Sequence, residues 1–312
     1  MTDLHNPIYT NDDKAREHLE ALRWPSGPIC PHCGVIDNAV KLEGKSTRKG
    51  VYKCRDCRKP FSVTVGTVFE RSHISLSKWL LAVHLLSASK KGMSSHQLHR
   101  MLGVTYKTAW FMSHRIREAM RPIKPSPIGG EGKVVEADET YVGGLEKNKH
   151  KNKRSLFSHG GATKEAVLSV VERDGQVRSV HTGRANTAVL KPIITALVHN
   201  RTVLLTDDAN HYKSIGAQFP AHQVVNHSKG QYVFGDVHTN TVEGFFSVFK
   251  KGMKGVYQHC SPVHLQRYLN EFDFRYNHRI GLGTSDKERA DMALLGITGK
   301  RLTYRRTDQV TA

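Results

Sequence analysis

The chain is short of cysteine and of acid. Its 312 residues include five cysteines, and 28 Asp and Glu stand against 47 Lys and Arg. No apolar run is long enough to cross a membrane, which points to a soluble protein with no membrane partner. No secretory leader opens the sequence, and so few cysteines fit a reducing cytosol. The shortage of acid leaves a net charge of +19 with neutral histidines. Such a field attracts polyanions, nucleic acid first, although a solubilising basic surface or a ribosomal association would look the same by charge alone. Nineteen histidines show no metal-ligand spacing, and internal repeats and low-complexity tracts are absent. The length allows two or three domains and a sizeable core.

Four of the five cysteines fall in one pattern: Cys30-x2-Cys33, twenty residues, then Cys54-x2-Cys57. Two such knuckles can give one Zn²⁺ four thiolates in a tetrahedron, since two intervening residues let both sulfurs of a knuckle reach the same ion. β-prone residues lie before the second knuckle (Val51, Tyr52) and after it (Phe61, Val63, Val65), which predicts a zinc ribbon over about 29–69. Two disulfides are the weaker reading. The fifth cysteine, Cys260, reads as a small buried hydrophobe.

A short helix precedes the ribbon, within 1–24. After the ribbon, Ser75 or Ser77 can cap a helix running from Lys78 to Leu86. A short helix from Gln97 to Leu102, the turn Gly103-Val104, and a longer helix capped by Thr105 follow. That is the pattern of a helix-turn-helix. Lys107, His114, Arg115 and Arg117 are expected on the outside of the longer helix, with Lys107, Arg115 and Arg117 as DNA contacts; an ordinary helical bundle with a solvated basic face is the bland alternative. Pro122, Pro125, Pro127, Gly129 and Gly130 mark a linker. The expected division is therefore 1–72, helix and ribbon; 73–121, helix-turn-helix; 122–132, linker; 133–285, catalytic domain; and 286–312, a basic tail, or alternatively a final helix.

Beyond the linker the pattern becomes α/β. Lys133 to Asp138 reads as a strand ending in acid, and the basic segment 145–164 as a loop facing a polyanion, with Lys147, Gly160 and Gly161 among its residues. Ala166–Glu172 and Gln176–Thr182 form a hairpin across Asp174-Gly175, and Thr187–Val198 a helix. Thr202–Thr206 is a buried strand ending at Asp207-Asp208, and Val224–His227 a short strand. A helix over 239–252 and a closing helix from Pro262 to Asn277 complete the run. This order matches a ribonuclease H-like fold, in which acids sit at neighbouring strand ends and on a later helix. Asp138, Asp207 and Glu243 occupy those places, and Lys250 lies two turns beyond Glu243. Phosphodiester chemistry uses such a set to hold two Mg²⁺ ions about 3.5–4 Å apart, carboxylate oxygens suiting a hard cation. Each acid alone reads more readily as a structural residue: a strand-end turn, a helix cap or a solvated side chain. Their joint order favours an active site. Glu139 and Asp208 read as bystanders, and His227 and His238 either touch phosphate or are satisfied loop residues.

Several segments resemble bacterial insertion-sequence transposases of the DDE type, more narrowly the ISXO-type group with an N-terminal zinc ribbon. These are Glu136-Ala137-Asp138-Glu139-Thr140-Tyr141-Val142-Gly143-Gly144, Thr206-Asp207-Asp208, His238-Thr239-Asn240-Thr241-Val242-Glu243-Gly244, and the run from Tyr268 to Asn277. The resemblance spans about 15–285. It implies Asp138 and Asp207 as the first two catalytic acids, Glu243 or Asn240 as the third metal-site residue, and Lys250 as a phosphate-binding cation. It also implies catalytic Mg²⁺ (Mn²⁺ substituting) beside structural Zn²⁺. The partners implied are double-stranded DNA, as terminal inverted repeats and target, with the protein a homodimer or larger on the bacterial nucleoid. A nuclease or resolvase of the same fold without strand transfer, and a non-catalytic DNA-binding regulator, are the rival functions.

Overall fold

In the computed structural model, residues 4–144, 148–154, 163–225 and 238–303 are described. The expectations for Lys147, Gly160, Gly161, Asn226 and His227 fall outside them. The chain forms two compact units. The first takes the residues up to Arg121 and those from Thr284 onward; the second is Pro122–Gly283.

The first unit begins with α1 (Asp12–Arg23), capped by the Asn11 carboxamide. Strands β1 (Ala39–Lys41), β2 (Tyr52–Cys54) and β3 (Pro60–Phe61) pair antiparallel in that order. Their small core is aromatic, with Trp24 set edge-on against Tyr52 and Phe61. Three helices follow: α2 (Leu76–Ala88), α3 (Ser95–Leu102) and α4 (Tyr106–Met120). Ser75 is the N-cap residue of α2, but its hydroxyl bonds no helix N–H; Asp12 on α1 accepts from the Ser77 amide instead, at 3.0 Å. The α3–α4 turn is a helix-turn-helix. Ser94 caps α3, Gly103 ends it in the left-handed region at φ 60°, and Thr105 caps α4 through the Thr108 amide. The C-terminal segment departs from a simple tail. Ser285 and Glu288 form a reciprocal capping box that starts a helix, α9 (Asp286–Leu295). That helix packs on α1, α2 and α4. Its Arg289 is buried and donates to the Ser87 carbonyl, and the Lys300 ammonium closes the end of α4 on the Ala119 carbonyl at 2.7 Å.

The second unit is built on a five-stranded sheet in the order β6-β5-β4-β7-β8. The strands are β4 (Val134–Val142), β5 (Glu165–Glu172), β6 (Val177–Gly183), β7 (Val203–Asp207) and β8 (Ala221–Val225). β4 pairs antiparallel with β5 and parallel with β7, and β8 continues parallel on the far side. Helices α5 (Thr187–Leu197) and α6 (Asn210–Gly216) cover one face, and α7 (Asn240–Gly252) and α8 (Pro262–Asn277) the other. This is the ribonuclease H-like arrangement. Strand alternation divides the core cleanly. On β5, Leu168 and Val170 join Leu190, Ile194, Tyr212 and Ile215 on the α5–α6 face. Val167 and Val171 join Val242, Phe245, Phe249, Leu269 and Phe272 on the α7–α8 face.

Candidate active site and metal centre

The four-cysteine centre is local in origin. Each knuckle is a tight turn. Cys30 accepts from the Gly34 amide, the Cys54 amide donates to the Lys59 carbonyl, and Gly34 and Arg58, just past each knuckle, have φ values of 80° and 57°. All four sulfurs lie within 4.8 Å of one another, with Cys30–Cys57 and Cys33–Cys54 at 3.6 Å. A tetrahedral Zn²⁺ with bonds of about 2.3 Å needs sulfurs about 3.8 Å apart, so the donor set and its spacing fit zinc. Cys30 and Cys54 are buried and Cys33 is exposed, which puts the centre at the surface of the ribbon.

The acidic cluster is assembled from distant parts of the chain. In β4, Val135 and Ala137 point into the α5–α6 core, so Glu136 and Asp138 face α7. The β4–β7 register pairs Val135 with Leu204 and Glu136 with Leu205. Two residues on, Asp138 comes beside Asp207 on the same face. Burial drives the Asp138 carboxyl up to about 7, and the charges of Glu139, Asp207 and Glu243 add to the shift. Asp207 is likewise pushed up, by burial first and then by Glu139; its side chain also accepts the Ala209 amide at 3.1 Å, in the turn leading to α6. Glu243 sits in the first turn of α7, exposed, and accepts the Thr239 hydroxyl at 3.0 Å. Asn240, the first residue of α7, is also exposed. Asp138 and Asp207 thus lie side by side, Glu243 is near enough for its charge to act on Asp138, and all three offer the oxygen donors a hard divalent cation takes. They are more open than the thiolates. Among the described residues, the four cysteines alone form a group of three or more ligands within 4.8 Å of one another.

Two residues of β4 do more than the sequence indicated. Glu139 points to the opposite face, where it accepts the Tyr212 hydroxyl and pairs with His211 at 3.3 Å. That contact raises the His211 pKa. Glu136 is fully buried and bonds the first turn of α7. Alternation was the available signal for both: an acid two residues before Asp138 shares its face, and the next residue does not. His238 lies against this network, with Nδ1 3.1 Å from Arg173, and so reads as a satisfied residue.

A groove of about 820 Å³ in the same unit runs from Glu139 past Tyr141, Lys164, Lys250, Lys254 and His259. Lys250 is exposed, with its ammonium 5.9 Å from the Phe246 ring centroid. The expected basic face of α4 needs correction. His114 and Arg117 are each 1% exposed. Arg117 donates to Ser113 at 3.0 Å inside a helix covered by α2, α3 and α9. Arg115 is half-buried, donating to the Glu70 and Leu302 carbonyls and stacking on Phe111. Of the three expected DNA contacts on this helix, Lys107 at its start is the exposed one.

Residues 129–277 match the model of the ISXO2-like transposase domain, and residues 10–60 that of the transposase zinc-ribbon domain. The chain therefore carries an ISXO2-like transposase domain behind a transposase zinc ribbon. It is 29% identical over 278 residues to an uncharacterised protein in transposable element ISH50 of Halobacterium salinarum, covering 86% of this chain and 91% of that protein. Among solved structures, a chain of the Mos1 strand transfer complex aligns over 65% of this chain and 77% of its own length, at 12% identity and a TM-score of 0.23. Among the described residues of this chain, no helix is long and apolar enough to cross a membrane.

Proposed function

We propose that this chain is a transposase that binds the terminal repeats of its element and catalyses metal-dependent cleavage and strand transfer, with Asp138, Asp207 and Glu243 holding the catalytic Mg²⁺. The observation that carries the reading is the β4–β7 register, which sets Asp138 beside Asp207 on the face of the sheet that α7 covers; burial first, and then the neighbouring carboxylates, push Asp138 up to about 7. Glu243 offers a charged carboxylate where Asn240 offers a neutral amide oxygen, and a hard divalent cation favours the charge, which supports Glu243 as the third group. Mg²⁺, with Mn²⁺ as substitute, would supply Lewis-acid stabilisation of the pentavalent phosphate. Asp138 and Asp207 offer rigid mounts because their backbones belong to paired strands. Glu243 offers an adjustable one, on an exposed helical turn. Lys250 and the groove lysines would hold the DNA backbone by charge, Lys250 from the same helix as Glu243.

In cleavage, water attacks the phosphorus at the element end, one P–O bond forms as another breaks, and the leaving 3′ oxygen takes up a proton. In strand transfer that 3′ hydroxyl attacks a target phosphodiester, and as the new P–O bond forms the target's own 3′ oxygen leaves and takes up the proton. The number of phosphodiester bonds is conserved, so no nucleotide cofactor is required. Lys107 on the helix-turn-helix and the basic ribbon would contribute DNA affinity that falls steeply with salt. Two ends must be held together, so a dimer or larger assembly acts on DNA, in the cytoplasm.

The test is movement of a marker flanked by the element's own ends in cells, for wild type and Asp207→Asn. Wild-type movement lost in the variant is expected. Ends that are nicked but never joined would replace this reading with a nuclease, and movement by the variant would remove the acids from the chemistry.

A further inference from the structure

We infer that Glu136 and Arg173 form a positioning clamp that sets the reach of the third metal-site residue. The inference rests on the reading of Asp138, Asp207 and Glu243 given above, and goes beyond it by assigning a function to a buried carboxylate outside the acid triad and its half-buried arginine partner. Glu136 has no exposed side-chain surface. A carboxylate there is retained only if every lone pair finds a donor. One oxygen accepts the Thr241 and Val242 amides at 2.8 and 3.0 Å. The other accepts the Thr241 hydroxyl at 2.9 Å and the Arg173 Nε at 2.8 Å.

Each partner has a structural task. Thr241 and Val242 are in the first turn of α7, where unbonded amides and the helix dipole favour a negative charge. They lie between Asn240 and Glu243, so their anchoring fixes both candidates for the third position. Arg173, on the turn from β5 to β6, also donates to the His238 carbonyl at 3.0 Å, and its own amide bonds the Val134 carbonyl. Glu136 is two residues from Asp138 on the same face of β4. The clamp therefore ties the strand that carries the first acid to the helix turn that carries the third. Electrostatic repulsion among the acids would push that turn away; four donors on one buried carboxylate hold it in place.

The experiment uses the full-length, zinc-loaded chain without DNA. Mn²⁺ binding is followed by electron paramagnetic resonance, and exchange of the Thr241 and Val242 amides by NMR. In Glu136→Gln, the single amide oxygen cannot serve both α7 and Arg173. The expected result is a Mn²⁺ midpoint raised about tenfold, the scale of an outer-shell loss, with faster exchange at both amides. Thr241→Val removes only the hydroxyl bond and is expected to raise the midpoint about threefold; it decides the matter should Glu136→Gln fail to fold. Wild-type midpoints together with wild-type amide protection in the folded variants would overturn the clamp. Asp138→Asn serves as the separate check: Mn²⁺ binding unchanged in that variant would overturn the metal-site reading, and the amide exchange of Glu136→Gln would still decide whether the clamp holds α7.

Discussion

The two candidate metal centres of this chain are built in opposite ways. The ribbon draws four thiolates from two short turns and packs their sulfurs within 4.8 Å. The acidic site draws three carboxylates from two strands and a helix, leaves Glu243 exposed, and holds Asp138 up near 7. A closed, complete ligand set suits an ion that holds a fold together. An open set with an adjustable third member suits an ion that must share its coordination with a substrate. The same contrast separates the consequences of damage: loss of the first should unfold, and loss of the second should silence.

The largest effect is expected at the ribbon. Cys54→Ser, or a strong chelator, should melt the ribbon, because structural zinc sites of this size contribute about 10 kcal/mol or more to folding. Circular dichroism and zinc content would check it; a variant with wild-type melting would mean that the aromatic cluster of Trp24, Tyr52 and Phe61 suffices. Next comes the third position of the acidic site. Glu243→Gln is expected to lower cleavage about a hundredfold, and Asn240→Ala less than threefold, in single-turnover assays at saturating metal. The reverse ranking would move the third ligand to Asn240.

Much of this contrast was legible in the sequence, for a physical reason. The cysteine turns are local, so their spacing alone defines a ligand set. Asp138, Asp207 and Glu243 could be ordered because the strand and helix periods around them are regular. What could not be read depends on partners far along the chain. Glu136 gains its meaning from Thr241, 105 residues later. Arg117 and His114 looked like outer-face residues of a short helical region. They are buried because α9 returns from beyond residue 285 and, with α2 and α3, encloses α4. The capping box at Ser285 was the local sign that this segment is a helix.

A smaller effect separates two buried acids of one unit. Asp138 and Asp273 are each raised to about 7, both chiefly by burial. At Asp138 the proton competes with a cation. Mn²⁺ affinity should therefore fall about tenfold per pH unit well below 7 and level off above it, measured by titration between pH 5.5 and 8.5. A flat profile would detach Asp138 from the metal. Asp273 accepts the Ser179 amide and hydroxyl at 2.7 and 2.6 Å, and its proton concerns stability alone. Its folded pKa lies above the ordinary value of 3.8. Its contribution is therefore fully present below about 4 and lost as pH rises through 7, on the order of 4 kcal/mol at most. Asp273→Asn should flatten the melting temperature between pH 4 and 7 and leave Mn²⁺ affinity unchanged. An altered metal affinity would contradict that separation.

The most direct measurement compares wild type with Asp207→Asn, both purified, zinc-loaded and bound to DNA carrying an element end. Release of a 3′ hydroxyl at that end is followed with and without Mg²⁺. The expected result is Mg²⁺-dependent release by wild type, and a rate at least about a thousandfold lower in the variant, with zinc content and DNA affinity unchanged. Release by Asp207→Asn at the wild-type rate would contradict the assignment of the acidic cluster as the cleavage site.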